Sequence, residues 1–279
     1  MPELPEVESV RRGLAEARIR AEVVDTWRSR EKMRMECDPR ALIGARPGAL
    51  RRRGKYIVWE MAPAKGQPLG LLLHLGMSGR CGIAAAGDPR VLHTHLVVSF
   101  GDGRELRLVD PRRFGGYRVA PLAELLAAAP LAELGPEPLD PDFDGELLAA
   151  RLGRSERGLR DALLDQRAVA GVGNIYAIEA LFDAGLHPLT PAARLRASAW
   201  ERLAVALREA LQRGIDNGGT TLKDFRNVVG EVGRNQDDLR VYGREGEPCP
   251  RCGRALRGFV HGGRSGVYCP FDQSARRVR

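Results

Sequence analysis

Apolar residues near the start of the chain fall at Val7, Val10, Leu14 and Ala17, in steps of three and four. That spacing predicts one amphipathic helix behind Pro5, with Glu6 and Glu8 near its positive end. The period then shortens. "KYIVWEM" and "LGLLLHLGM" are dense apolar runs separated by the turn-rich "APAKGQP", and "HLVVSF" and "RELRLVD" flank "GDG", a hairpin signal. The first ~120 residues therefore read as a helix plus antiparallel sheet. "LAELGPEPLDPDFDGE" is proline-rich and acidic, which predicts a stiff, extended linker. Helical spacing follows it. "RGLRDALLDQRAVAG" and "NIYAIEALFDAG" predict short helices around "GVG". Trp200, Leu203, Leu207, Leu211 and Ile215 predict a longer one, with Ser198 and Glu201 as its capping box. From about Tyr242 the sequence is turn-rich and carries cysteines. These changes divide the chain into residues 1–130, a linker 131–148, a helical domain 149–240 and a tail 241–279.

Charge adds a direction. Lys and Arg exceed Asp and Glu by 44 to 36, and the tail from Arg240 onward holds nine Arg against three acids. Such a concentration suits a polyanionic partner. No apolar run approaches the ~20 residues of a membrane span, and no secretory signal is evident, so the expected location is the cytoplasm, at the nucleoid in a bacterium.

Three of the five cysteines lie in the tail. Cys37 and Cys81 stand alone and read as small core residues. "CPRC" supplies Cys249 and Cys252, and sixteen residues separate Cys252 from Cys269. Paired knuckles at this spacing point to tetrahedral zinc. The fourth position is Asp272, so the candidate set is Cys249, Cys252, Cys269 and Asp272, with a weakened or empty site as the alternative. "FVHGGRSGVYC" predicts a hairpin with Arg264 at its tip, suited to phosphate contact.

Other motifs carry further chemistry. Gly171 and Gly173 lead into a helix that Asn174 is expected to cap, and such a turn can present backbone N–H groups to an anion. "HLGMSGR" and "DPRRFGG" place Met77, and Arg112 with Phe114, among glycines at strand ends. Apolar side chains beside Arg can unstack duplex DNA and fill the gap left by an extruded base. Cytosolic processing removes Met before a small residue, which would leave Pro2 as the terminal secondary amine. With an α-amino pKa near ~7.7–8.0, part of that amine is neutral and nucleophilic at pH 7. Glu3 stands beside it as an acid or base.

"MPELPEVE", "RRGKY", "HLGMSG", "DPRRFG", "LGPEPL", "LLDQ…AGVGNIYAIEALF", "GGTTLKDF", "VYGREGEPCPRCG" and "GRSGVYCP" run in this order along nearly the whole chain. This series resembles the formamidopyrimidine-DNA glycosylases, bacterial base-excision repair enzymes of the family that includes endonuclease VIII. The resemblance implies a two-domain α+β fold: an N-terminal antiparallel β-sandwich with helices, and a C-terminal helix–two-turn–helix domain with a zinc-finger-like β-hairpin, with DNA between the lobes. It implies Pro2 as nucleophile, Glu3 as catalytic acid, Glu6 as structural support and Lys55 as a phosphate-contacting aid to elimination. His74, Asn174, Tyr242 and the catalytic Arg264 would grip phosphates around a flipped nucleotide. Met77, Arg112 and Phe114, with Arg113 beside them, would fill the void. The partner is double-stranded DNA carrying a damaged base, the cofactor zinc alone, with no nucleotide or redox cofactor, and the protein a monomer.

The chain departs from that pattern in three places: Asp272 for a cysteine, "GEVGRN" at residues 230–235 where an oxidised-purine loop is expected, and Ile178 where an acidic or small residue is usual. The altered loop bears on 8-oxoguanine preference, and the departure at Ile178 should act on local packing. Rival readings are an endonuclease VIII-like preference for oxidised pyrimidines, a catalytically silent lesion binder, and a tautomerase using Pro2 as base.

Overall fold

The apolar steps behind Pro5 do form a helix, α1 (Leu4–Glu16), with Val7, Val10 and Leu14 buried. In the computed structural model, which describes residues 2–221, 228 and 230–274, eight strands and a short helix follow. They are β1 (Val23–Arg28), β2 (Arg46–Arg53), β3 (Tyr56–Ala62), β4 (Leu69–His74), β5 (Arg80–Ala85), β6 (Thr94–Phe100), β7 (Arg104–Val109), β8 (Gly116–Pro121) and α2 (Leu122–Ala127). Two antiparallel sheets result, in strand orders β1-β6-β7-β5 and β2-β3-β4-β8. Their inner faces share one core: Ile57, Trp59, Met61, Leu71 and Leu73 from one sheet, and Leu96, Val98, Phe100, Leu106 and Leu108 from the other. The Trp59 and Phe100 rings meet across it at 5.8 Å. The four strands read from apolar runs are β3, β4, β6 and β7. β2, with sequence RPGALRRR, has no buried position, so it leaves no period-2 signal.

The remainder is helical. It comprises α3 (Gly145–Leu152), α4 (Leu159–Leu163), α5 (Asn174–Asp183) and α6 (Ala197–Asp216), then the hairpin β9 (Arg257–His261) and β10 (Arg264–Tyr268). Trp200, Leu203, Leu207, Leu211 and Ile215 all lie on the buried face of α6. Its expected capping box does not form. Ser198 is already inside the helix, and the Glu201 carboxylate instead accepts the Gly145 N–H at 3.0 Å, fixing the start of α3. α3 itself enters the stretch read as linker. Asp144 caps it through the Leu147 N–H at 2.8 Å, and Leu148 and Leu152 are buried, a signal the surrounding prolines hid.

The chain divides into two units, Met1–Glu133 with Asn217–Arg234, and Leu134–Asp216 with Asn235–Arg279. The division differs from the expected boundaries: residue 134 already belongs to the second unit, and residues 217–234 return to the first. Two anchors explain that return. Val228 packs into the sandwich core, and the Thr220 N–H donates to Glu6 Oε1 at 2.7 Å. Glu6 Oε2 accepts the Glu3 N–H at 2.7 Å, so one buried carboxylate ties the start of the chain to a segment more than two hundred residues away.

Glu6→Gln turns one accepting oxygen into a donor facing an N–H. It should lower unfolding free energy by about 1–3 kcal/mol, seen as a lower denaturant midpoint with unchanged m-value. An unmoved midpoint would show that this tie contributes nothing to stability.

Candidate active site and nucleic-acid interface

In the first unit, Pro2 and Glu3 are buried, and Glu3 occupies the position that opens α1. One turn on, Glu8 binds Arg52 of β2 at 3.3 Å, and Arg52 donates to the Gly54 carbonyl at 3.2 Å. This connects the first turns of α1 to the Gly54–Lys55 turn between β2 and β3. Burial pushes the Glu8 carboxyl up, but Arg11, Arg12 and Arg52 outweigh it and hold it below its ordinary value. Lys55 is itself only 7% exposed. Tyr56, the next residue, pairs with His74 at the end of β4, and His74 pairs with Gly116 of β8. Burial, helped by the positive charges of Lys55 and Arg34, pushes the His74 imidazole down to about 4. At neutral pH this ring is uncharged, and its Nδ1 accepts the Gly76 N–H at 3.3 Å.

The two glycine turns that follow β4 and β7 lie against each other. A Cβ on Gly76 would come within 2.3 Å of the Gly115 nitrogen, so neither turn could hold its place with a larger residue there. From these turns Met77 and Phe114 project, 40% and 44% exposed. Arg112 lies over the Phe114 ring at 4.8 Å. Arg113 does not join them: its backbone is left-handed (φ 57°) and its guanidinium sits 3.5 Å from Glu31. Thus Lys55, His74, Met77, Arg112 and Phe114 gather at one end of the β2-β3-β4-β8 sheet.

In the second unit, the expected cap at Asn174 is corrected. Gly173 is the N-cap of α5, and Asn174 instead donates its side-chain N–H to the Ser265 carbonyl of β10 at 2.8 Å. The turn before α5 is clamped by Gln166, which donates to the Val172 carbonyl at 2.9 Å and accepts the Gly171 N–H at 3.0 Å. Gly262 and Gly263, both at positive φ, form the two-residue turn of the β9–β10 hairpin, and exposed Arg264 follows it directly. Tyr242 donates its N–H to Glu179 at 2.8 Å.

Sequence reasoning missed three supports. Glu179 of α5 accepts the N–H groups of Arg240, Val241 and Tyr242; burial pushes its carboxyl up. An acid inside "IYAIEALF" was the available signal. Arg160 is fully buried, donates to the His261 carbonyl at 2.7 Å and forms an ion pair with Asp161 at 2.9 Å. Asp183 binds Arg213, Arg240 and Arg251 together.

Cys249, Cys252, Cys269 and Asp272 bring their ligand atoms within 4.8 Å of one another. Cys252 and Cys269 sulfurs are 3.5 Å apart, and Asp272 Oδ2 is 3.4 Å from the sulfurs of Cys249 and Cys269. A zinc tetrahedron with Zn–S about 2.3 Å and Zn–O about 2.1 Å has edges of about 3.6–3.8 Å, so the four groups fit the ion. Backbone N–H groups of Arg251 and Asp272 donate to Cys249 and Cys269 sulfurs, at 3.4 and 3.3 Å. Ile178 is buried in the cluster formed by Val241, Cys249, Leu256, Val267 and Cys269, so this departure packs α5 against the cysteine-bearing tail.

The chain matches the family models for the formamidopyrimidine-DNA glycosylase N-terminal domain over residues 1–117, the formamidopyrimidine-DNA glycosylase H2TH domain over 134–226, and the zinc finger found in FPG and IleRS over 246–275. It is 43% identical to the formamidopyrimidine-DNA glycosylase of Stenotrophomonas maltophilia (strain R551-3), across 98% of this chain and 100% of the relative. Among solved structures it is similar to MutM (FPG) from Thermus thermophilus, with 38% identity, TM-score 0.87 and 98% of both chains covered. It is also similar to wild-type Lactococcus lactis Fpg in complex with DNA containing N7-benzyl-Fapy-dG, with 33% identity, TM-score 0.89, and 98% of this chain and 100% of that one covered. The sandwich, the helical unit and the cysteine-bearing hairpin each have a counterpart there, and the chain belongs to the formamidopyrimidine-DNA glycosylase family.

Proposed function

We infer that this protein excises oxidised purines, formamidopyrimidines foremost, from duplex DNA and then cleaves the strand, with Pro2 as nucleophile. The observation that carries this is the buried, tethered Pro2–Glu3 terminus, joined through Glu8 and Arg52 to the Lys55 turn. Once Met1 is removed, the Pro2 secondary amine attacks C1′ of the damaged nucleotide, and the base departs with the C1′–N bond pair as Glu3 supplies a proton. The proline nitrogen then loses its proton, the C1′–O4′ bond opens with its electron pair going to O4′, which is protonated, and the resulting iminium acidifies the C2′ hydrogen. Loss of that proton expels the 3′ phosphate, and a second elimination releases the 5′ phosphate. Lys55 stabilises the departing phosphate.

Met77, Arg112 and Phe114 would occupy the space the extruded nucleotide leaves. Asn174, Tyr242 and Arg264 would hold phosphates, Arg264 as a full charge and His74 as an uncharged hydrogen-bonding group. Cys249, Cys252, Cys269 and Asp272 would hold zinc, whose role is to fix the base of the Arg264 hairpin.

The loop at residues 230–235 favours a second reading, oxidised pyrimidines. Val232 stands 52% exposed there. Residues 222–225 of the adjoining "GGTTLKDF" motif lie outside the described residues.

Borohydride trapping of protein confirmed by mass to begin at Pro2, on duplexes carrying a formamidopyrimidine, 8-oxoguanine or an oxidised pyrimidine, tests both readings. The formamidopyrimidine duplex should trap fastest; fastest trapping on the pyrimidine would favour the second. Pro2→Gly should depress base excision strongly while leaving lesion binding intact, and unchanged excision would remove Pro2 from the chemistry. Arg264→Ala should reduce the slope of log K against log salt by about one unit, while His74→Gln leaves it unchanged because the ring carries no charge at pH 7. Equal slopes for both variants would contradict this division. The purified protein should release about one zinc per chain to a chelator, and Asp272→Cys should slow that release about tenfold or more; metal-free protein that still holds the hairpin and binds DNA normally would argue against a role for the ion.

A further inference from the structure

Asp110 is completely buried, and each of its polar groups is engaged. Its Oδ1 accepts the Ser78 hydroxyl at 2.7 Å and the Arg112 N–H at 3.2 Å, and its Oδ2 accepts the Gly115 N–H at 2.8 Å. Its own N–H donates to the His93 carbonyl at 3.0 Å. Its carbonyl lies 3.0 Å from His95 Nε2 and accepts the Arg113 N–H at 3.2 Å. A carbonyl only accepts, so His95 donates from Nε2, and its Nδ1 lies 2.8 Å from the Ser29 hydroxyl. The bonds to Arg112 and Gly115 are those of an aspartate shaping its own turn. The bond to Ser78 is different. It reaches across 32 residues into the other glycine turn, one residue beyond Met77.

We propose that Asp110 is a positioning residue that locks the Met77 turn and the Arg112–Phe114 turn into one rigid unit, so that the three side chains enter the duplex together. This rests on the void-filling role given to those side chains above. Asp110 touches none of the reacting atoms. It acts by fixing the geometry of two turns that already meet at Gly76 and Gly115. An ionised carboxylate suits the task because it accepts from three donors at once, two on one oxygen and one on the other. Asparagine cannot. With its oxygen toward Ser78 and Arg112, its NH2 faces the Gly115 N–H, donor against donor.

The test is single-turnover excision from a duplex and from the same lesion strand without its complement. Asp110→Asn should slow the duplex reaction about tenfold or more while leaving the single-strand rate within about twofold. In that background, adding Phe114→Ala should cost much less than it does in the native protein. Equal losses on both substrates, or an undiminished Phe114→Ala effect, would overturn the proposal. If Asp110→Asn does not fold, Ser78→Ala carries the test, since it removes the cross-turn bond and leaves the others. A smaller loss confined to the duplex is then expected, and no such loss would overturn the proposal. Met77→Ala and Phe114→Ala separate the coupling from the void-filling role. A duplex-specific loss in these with none in Asp110→Asn sinks the coupling alone; no duplex-specific loss in them sinks the void-filling reading and the coupling with it.

Discussion

One buried carboxylate makes the start of this chain usable. Chain ends ordinarily fray, because few contacts offset their conformational entropy. Here Glu6 accepts the Glu3 N–H on one oxygen and the Thr220 N–H on the other, within a residue 1% exposed. The terminal residues therefore begin α1 and sit against the sandwich core. The nucleophilic role proposed for the Pro2 amine needs it to meet a fixed target atom, and a fraying end could not hold it there. The same carboxylate draws residues 217–234 back to the first unit, so the chain's order and its spatial order part at this point.

Elsewhere, too, buried polar groups set the loops. Glu179 gathers three consecutive backbone N–H groups around Tyr242, and Gln166 shapes the glycine turn before α5. Arg160 reaches the His261 carbonyl, and Asp183 joins α5 to α6, to Arg240 and to Arg251 in the first knuckle. Glu179, Gln166 and Arg160 do so by satisfying backbone groups, and Asp183 by pairing with three guanidinium groups. That is why Arg264 and Asn174, far apart in sequence, sit on one tied assembly: Asn174 holds the Ser265 carbonyl next to Arg264.

The substitution at Asp272 changes the donor set without disturbing the cluster. Its carboxylate stands at tetrahedral-edge distance from two thiols. An oxygen donor is harder than a thiolate, so the site should hold zinc less tightly than four cysteines would. The cluster is also held by its surroundings. Gln273, fully buried, bonds both the Cys269 N–H and the Leu186 carbonyl, and Arg251 lies over the Phe182 ring at 4.4 Å.

Local structure written in consecutive residues was legible without a structure. The α1 and α6 stripes, the β6–β7 hairpin around "GDG", the knuckle spacing and the "PELPE" terminus each depend on neighbours within a few positions, where periodicity and turn preference act. What the sequence could not carry were relations between distant residues. β2 is a strand because its neighbour pairs with it, not because its own residues alternate. Asn174 failed as a cap because Ser265 offered its side chain a better partner, and Ser198 failed because Glu201 was engaged by Gly145. The aspartate at 110 reads in sequence as an ordinary turn residue; only the tertiary structure sets Ser78 against it. Long-range hydrogen bonds between buried groups have no periodicity, so the fold alone decides them.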